Sequence, residues 1–398
     1  MKVLMFLEED KLSPRGGPYG VGYYYYKEAK ECGDDIIEFI PGESTEKNTK
    51  SLKRYSKYIP SFLISIRRSW KRIIGARKLF SENDEIISDI DFNKYDIIHF
   101  QATIHLFQQR KKLESYKGIV ILSSHSPVPM SQEIIGSFTK FERKMIRNCE
   151  KKYCDMDVYA FNRADYLVFP CPEAEEPYYH AWSQYSQISK KKKYKYVATG
   201  IAPAHARHGR LENRRSMNID NSDFVISFVG RHNEVKGYDN LKRIGEEFLR
   251  VHKDAWFVVC GKEEPLKGLS NEHWIEIGWT DDQYSYINSS DVFILPNKET
   301  YFDLVMLEVL SLGKIVIASR TGGNKYFERK KLKGVMLYDT IDQAISLLNN
   351  VKNMTQEERD KLGAENKQFY MNNLTSKQMY NNYIDSLHEI IKERCIEE

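Results

Sequence analysis

Short apolar runs alternate with longer amphipathic stretches along most of this chain, and that alternation limits its fold more than anything else in it. In the first half, Val3–Leu7, Asp35–Ile40, Asp96–Phe100, Ile119–Ser123, Tyr166–Phe169 and Tyr196–Thr199 read as strands. In the second, Phe224–Val229, Trp256–Cys260, Trp274–Ile277, Val292–Leu295, Ile315–Ala318 and Val335–Tyr338 do the same. Such alternation favours parallel βα units with helices on both faces of each sheet. Two doubly wound, Rossmann-like α/β domains in series are the expectation. Pro, Gly, Asn and Arg collect in Ala202–Asn221, where apolar periodicity is lost. The reading is therefore a domain at 1–201, a linker at 202–221, a second domain at 222–374 and a helical segment at 375–398.

A chain of 398 residues with 41% hydrophobic and 13% aromatic residues can fill two cores, which excludes disorder over its whole length. Its 60 basic and 56 acidic residues leave a formal net charge of +4, and no recognition motif accompanies the basic clusters, so nucleic acid is not expected as a partner. Six scattered cysteines form no CxxC pair and read as reduced thiols in a cytoplasmic protein. The apolar start Met1–Leu7 is followed at once by Glu8, Glu9 and Asp10, which does not suit a signal peptide, and no apolar run approaches the length of a membrane span. Two Asp-x-Asp triplets, Asp89–Asp91 and Asp155–Asp157, follow no clear strand end and read as chance, so no metal ligand is assigned.

Ligands of open α/β sheets bind beyond the carboxyl ends of the strands, so the loops after the strands matter most. After Val292–Leu295 the chain runs Pro296-Asn297-Lys298-Glu299-Thr300-Tyr301-Phe302-Asp303 into a helical stretch that carries Glu308. A carboxylate there can accept two hydrogen bonds from a vicinal diol such as ribose. The free amides of a helix start can hold a phosphate or a sugar hydroxyl. After Phe224–Val229 come Gly230 and Arg231, then Lys236 and Gly237. Glycine permits a sharp turn, and the guanidinium and ammonium can reach one diphosphate. An ordinary βα turn with two solvated cations is the plainer reading.

In the first half, Gly16 and Gly17 open a glycine-rich loop without GxGxxG spacing. It reads either as backbone approaching a sugar or diphosphate, or as a surface turn. His125 stands just past Ile119–Ser123, where a histidine can hydrogen-bond a sugar hydroxyl, move a proton, or serve the fold alone. Lys50–Lys78 contains no acid. Ile59, Phe62, Ile66, Trp70 and Ile73 recur there at helical spacing, with Arg67, Arg68, Lys71 and Arg72 expected on the opposite side. That profile suits either a helix on an anionic membrane surface or a domain helix docked by its apolar stripe.

Taken together, these residues resemble a glycosyltransferase of the large retaining family 4, with the GT-B fold. The likeness is strongest over Phe224–Tyr326: Gly230-Arg231, Lys236-Gly237, Glu308–Gly313, and Ala318–Gly323 with Gly322 and Gly323. It is weaker in Gly16-Gly17, Asp96–His99, His125 and Thr199-Gly200-Ile201. The resemblance implies two domains facing across a cleft, with a C-terminal helix crossing back onto the first. It implies that Arg231 and Lys236 neutralise a leaving nucleoside diphosphate, that Glu308 binds ribose, and that His125 contacts the sugar or the acceptor. It implies no metal or other cofactor. The family pattern Glu-x7-Glu places Thr300, not Glu299, opposite Glu308, and Asp303 stands where glycine is usual. Either Glu299 or Thr300 then serves the donor sugar.

The expected activity is hexosyl transfer with retention from a nucleoside-diphosphate sugar, with UDP the expected nucleotide, to an acceptor hydroxyl. The acceptor is expected to be a glycan, a lipid-linked precursor or a protein, in cell-surface polysaccharide or glycoconjugate biosynthesis. The expected location is the cytoplasm, with Lys50–Lys78 suiting work at the inner membrane face. The alternatives are a nucleotide-sugar epimerase or hydrolase on the same fold, and a non-catalytic GT-B partner that binds glycan.

Overall fold

The computed structural model describes residues 1–7, 18–40, 61–78 and 90–397. Gly16, Gly17, Asp89, Ile59 and the basic residues Lys50, Lys53, Arg54 and Lys57 lie outside the described residues. Among the described residues are two parallel sheets of six strands each.

The first sheet holds β1 (Val3–Phe6), β2 (Ile37–Ile40), β3 (Ile97–Phe100), β4 (Ile119–Ser123), β5 (Tyr166–Phe169) and β6 (Lys193–Tyr196), in the order β2-β1-β3-β4-β5-β6. Its inner strands are fully buried and mainly apolar, as expected of strands covered on both faces, with His99 in β3 and Ser123 in β4 the polar members. The sixth strand lies three residues before its expected place. Lys193–Tyr196 alternates lysine and tyrosine and forms a sheet edge, which a search for apolar runs passes over. Just before it, Lys192 Nζ donates to the carbonyls of Asn162 and Ala164, both at 2.6 Å, closing the end of the long helix Lys140–Arg163. Thr139 and Glu142 form a capping box at that helix's start.

The second sheet holds β7 (Phe224–Val229), β8 (Ala255–Cys260), β9 (Trp274–Gly278), β10 (Val292–Leu295), β11 (Ile315–Ser319) and β12 (Val335–Tyr338), in the order β12-β11-β10-β7-β8-β9. The winding reverses between β7 and β10, and such reversals open the crevices in which open α/β sheets bind ligands. One side of β7 packs on the helix Tyr238–Val251, whose Tyr238, Leu241, Ile244 and Phe248 are buried at helical spacing. That helix approaches β9 closely: a Cβ at Gly245 would lie 2.3 Å from the Trp274 ring.

The chain divides into two compact units, Met1–Phe169 with Tyr178–Lys195, and Pro170–Pro177 with Tyr196–Glu398. Within the stretch read as a linker, Arg210–Ser216 is helical. Its Arg214 side chain is 1% exposed and is held by Asp291, at 2.8 Å, and by the carbonyls of Ser289, Asn221 and Asp223. A buried guanidinium with this many partners ties that helix to the base of β10. Polar composition concealed the anchor, because its packing is made by an arginine.

Candidate functional site

Three adjacent strands of the second sheet, β7, β10 and β11, send their following loops to one edge, where backbone bonds stitch the loops together. Gly237 ends the loop after β7 in a left-handed conformation at φ 64°, and a Cβ there would lie 1.7 Å from the Pro296 carbonyl oxygen. One residue type fits that contact. The Lys298 amide donates to the Val235 carbonyl at 3.0 Å, joining the loop after β10 to the loop after β7. The Thr321 hydroxyl donates to the Lys298 carbonyl at 3.2 Å, and the Gly323 amide donates to the Thr300 carbonyl at 3.3 Å. Gly322 and Gly323 are needed there, since a Cβ on either would lie 2.0 and 2.1 Å from the carbonyl oxygens of Thr300 and Tyr301.

Into this frame the chain sets its ionisable groups. Lys236 forms an ion pair with Asp303, which also accepts from Asn297 Nδ2 at 2.9 Å. Asp303 stands at the N-cap position of the helix Leu304–Ser311. Burial alone would raise its carboxyl, but the Lys236 ammonium and the Asn297 amide hold it below the usual range. Glu308 lies on the same helix and accepts a hydrogen bond from the Tyr284 hydroxyl at 3.1 Å. Burial pushes Glu308 up to about 7, the Asp303 charge adds to that, and the Tyr284 bond opposes it. Arg231 is exposed in the loop after β7. Glu299 is half-buried in the loop after β10. Thr300 is buried, with its carbonyl committed to Gly323.

The structure thus brings Gly230, Arg231, Lys236, Glu299, Thr300, Gly322 and Gly323 onto neighbouring loops of one unit, with Glu308 on the helix that follows one of them. Asp303, Tyr284 and Asn297 join them, and none of these three was singled out as a site residue. Tyr284 leaves no local signal, because it reaches Glu308 from another helix. Asp303 was legible only as a departure from a pattern, and its ion pair depends on two loops that meet in space.

In the other unit, His125 follows β4 and is half-buried, with Nε2 2.6 Å from Gln101 Oε1. Burial pushes its ring down to about 4, so it is neutral at physiological pH. Gly16 and Gly17 lie outside the described residues.

The helix Ser61–Lys78 docks differently from the expectation. Ile73 and Ala76 are buried against Ile146, Tyr153 and Met156 of the helix Lys140–Arg163. Arg72, expected on the outward basic face, points inward instead. It pairs with the buried Glu142 at 3.2 Å, donates to the Ser137 carbonyl at 2.6 Å and lies 4.6 Å from the Phe138 ring centre. Ile66 and Trp70, expected on the docked stripe, are 50% and 45% exposed. Ile74 is exposed beside them, as are Arg67, Arg68 and Lys71. A buried carboxylate on the neighbouring helix turns this helix by capturing Arg72, and no pattern within 61–78 carries that information. Among the described residues no helix is long and apolar enough to cross a membrane, and no cluster of candidate metal ligands occurs.

Residues 209–369 match the family model described as Glycosyl transferases group 1. A Klebsiella pneumoniae protein named as an uncharacterized 41.2 kDa protein in the cps region is 22% identical over 67% of this chain and 72% of its own length. The Escherichia coli UDP-Gal:alpha-D-GlcNAc-diphosphoundecaprenol alpha-1,3-galactosyltransferase is 27% identical over 34% of this chain. That alignment spans 38% of the galactosyltransferase. Among solved structures, Anabaena HepE in complex with UDP-glucose covers 98% of this chain and 100% of its own, at 13% identity and a TM-score of 0.56. That likeness shows the fold. With the family match it supports a GT-B glycosyltransferase.

Proposed function

We propose that this chain transfers a hexose from a nucleoside-diphosphate sugar, with UDP the favoured nucleotide, to an acceptor hydroxyl with retention. The setting is cell-surface polysaccharide or glycoconjugate biosynthesis. The observation that carries the reading is the stitched edge of β7, β10 and β11, where Arg231 and Lys236 on the loop after β7 adjoin the loop after β10 and the helix that follows it, which carries Glu308, at the point where the winding reverses. Similar proteins support the donor class: one is named as a UDP-Gal-dependent galactosyltransferase, and a structural neighbour was solved with UDP-glucose.

In this reading the domain at 222–374 holds the donor and the domain at 1–201 the acceptor. Glu308 accepts hydrogen bonds from the ribose diol. Arg231 and Lys236 face the diphosphate, whose negative charge grows as the bond from its oxygen to the anomeric carbon breaks. Fixed cations stabilise that charge without reorganising. The electron pair leaves with the diphosphate. The acceptor oxygen bonds the anomeric carbon on the same face, and the departing phosphate oxygen takes its proton. Glu299 or Thr300 orients the donor sugar, and His125 contacts the sugar or the acceptor. No metal is required.

An anionic membrane surface is the partner we assign to the helix Ser61–Lys78. Ile66, Trp70 and Ile74 recur every four residues along one exposed face, and Arg67, Arg68 and Lys71 are exposed beside them. Apolar insertion with cations at the headgroup level is how helices of this kind bind lipid.

A panel of nucleotide sugars tests the reaction, read by thermal shift and by nucleotide release with crude lipid acceptors. Product dependent on both donor and acceptor supports transfer. Product without acceptor identifies a hydrolase or epimerase. No nucleotide binding identifies a non-catalytic partner.

A further inference from the structure

At the carboxyl edge of the first sheet a buried polar chain leads to His125, and its other members have no part in the reaction above. Ser123 ends β4, and its Oγ lies 2.8 Å from His99 Nε2 on β3. Gln101 follows β3 by one residue and is 3% exposed, while His99 is fully buried. The Gln101 amide nitrogen faces the His99 ring, 3.3 and 3.4 Å from its two nitrogens. Its amide oxygen faces His125, 2.6 Å from Nε2.

An amide oxygen accepts hydrogen bonds and never donates, so the proton in that last contact belongs to His125 Nε2. Burial keeps both rings neutral. It pushes His99 down to about 3, with the neighbouring His125 adding to the effect, and His125 down to about 4. A neutral imidazole carries one ring proton. With that proton on Nε2, Nδ1 keeps its lone pair.

We infer that Gln101 is a positioning residue that fixes His125 as the Nε2–H tautomer, so that every hydrogen bond formed at His125 Nδ1 is one it accepts. Resting on the sugar-transfer reading, this makes His125 an acceptor for a hydroxyl of the sugar or the acceptor substrate. The reversed amide would present an N–H to His125 Nε2 and place the ring proton on Nδ1. Tautomer is therefore the property that Gln101 decides, and the wrong tautomer of an active-site histidine costs activity even where geometry is preserved.

The test is a long-range proton–nitrogen correlation spectrum of the nitrogen-15-labelled full chain near neutral pH, with the His125 signals identified by their loss in His125→Asn. The expected wild-type spectrum shows the proton on Nε2. Gln101→Glu keeps an acceptor in place and, at a pH above the His125 value that the added charge raises, should keep that pattern. Gln101→Leu should release it to a mixture of tautomers and lower kcat/KM about tenfold or more, with Gln101→Glu closer to wild type. A proton on Nδ1 in the wild type overturns the inference, and so does an unchanged spectrum in folded Gln101→Leu. If the leucine variant fails to fold, the wild-type and Gln101→Glu spectra decide. No substrate is present in the spectra. Expected spectra without any turnover of nucleotide sugars support the tautomer assignment and count against the reaction.

Discussion

Lys236, in the loop after β7, is ion-paired with Asp303, which stands at the N-cap position of the helix that carries Glu308. The lysine expected to face a diphosphate is thus already partnered by a carboxylate where the resembled family has glycine. Diphosphate must compete with Asp303 for Lys236 or bind beside the pair. Replacing Asp303 by Asn removes the competing charge. UDP affinity of Asp303→Asn, measured by calorimetry, should rise about tenfold, equivalent to about 1.4 kcal/mol. Unchanged or weaker binding would show that Lys236 does not meet the diphosphate.

Lys236→Ala leaves Asp303 with hydrogen bonds from Asn297 and the Val305 backbone but without the Lys236 charge. Removing one partner of a mostly buried pair exposes the other to an uncompensated charge, a cost of about 3 kcal/mol. The melting temperature of Lys236→Ala should fall clearly, and the double variant with Asp303→Asn should recover much of the loss. Lost turnover in Lys236→Ala therefore has to be scored against stability. Equal melting of the single and double variants would refute the coupling.

Glu308 should impose a pH dependence. Its carboxyl lies at about 7 when folded and near 4.5 when unfolded. Between those values the folded chain holds a proton that the unfolded chain has released. Stability from this group is therefore fully present below about 4.5 and is lost as pH rises through about 7. Donor binding runs the other way, because a ribose diol donates to a carboxylate. UDP-glucose affinity should increase from pH 6 toward pH 8, over which a diester of diphosphate does not itself titrate. Glu308→Gln should bind more weakly and flatten the profile. A profile that stays steep in the glutamine variant assigns the titration elsewhere. His125, held near 4, does not contribute in this range.

Gly237 is the tightest joint between the two loops. Gly237→Ala requires φ near 64° from an alanine whose Cβ lies 1.7 Å from the Pro296 carbonyl oxygen. The loop must move, at a cost of about 2 kcal/mol or more. Thermal melting should fall, and UDP should bind at least tenfold more weakly as Arg231 and Lys236 lose their placement. Wild-type UDP affinity in this variant would remove the stitched edge from the binding site.

The membrane reading separates by face. Replacing Ile66, Trp70 and Ile74 together by Ser should leave the melting temperature near wild type and strongly reduce co-sedimentation with phosphatidylglycerol vesicles. Arg67, Arg68 and Lys71 changed to Gln should reduce it and weaken its salt dependence. Arg72→Gln should chiefly lower stability, because it strips a partner from buried Glu142. Full vesicle binding by the triple serine variant would eliminate this face.

Eleven of the expected strands lie within a residue or two of their observed places; the inner ones among them are covered on both faces and so must be short, mainly apolar runs, whatever surrounds them. The exception, β6, is an edge whose lysines and tyrosines need no such run. The glycines of the site could be read from the chain for a similar reason: a left-handed turn or a close carbonyl excludes every side chain, as at Gly237 and Gly322.

Pairing between distant residues could not be read this way. That Lys236 meets Asp303, that Tyr284 meets Glu308, and that Gln101 lies between His99 and His125 follow from which strands are neighbours and how their loops cross. The turn of the helix Ser61–Lys78 was likewise settled by Glu142 on another helix, which drew Arg72 inward and left Ile66 and Trp70 outside. Burial period and backbone sterics act within a few residues and are written locally. The strength and direction of a charge's interactions depend on what the fold places within a few ångströms of it, and that is set only when distant segments pack.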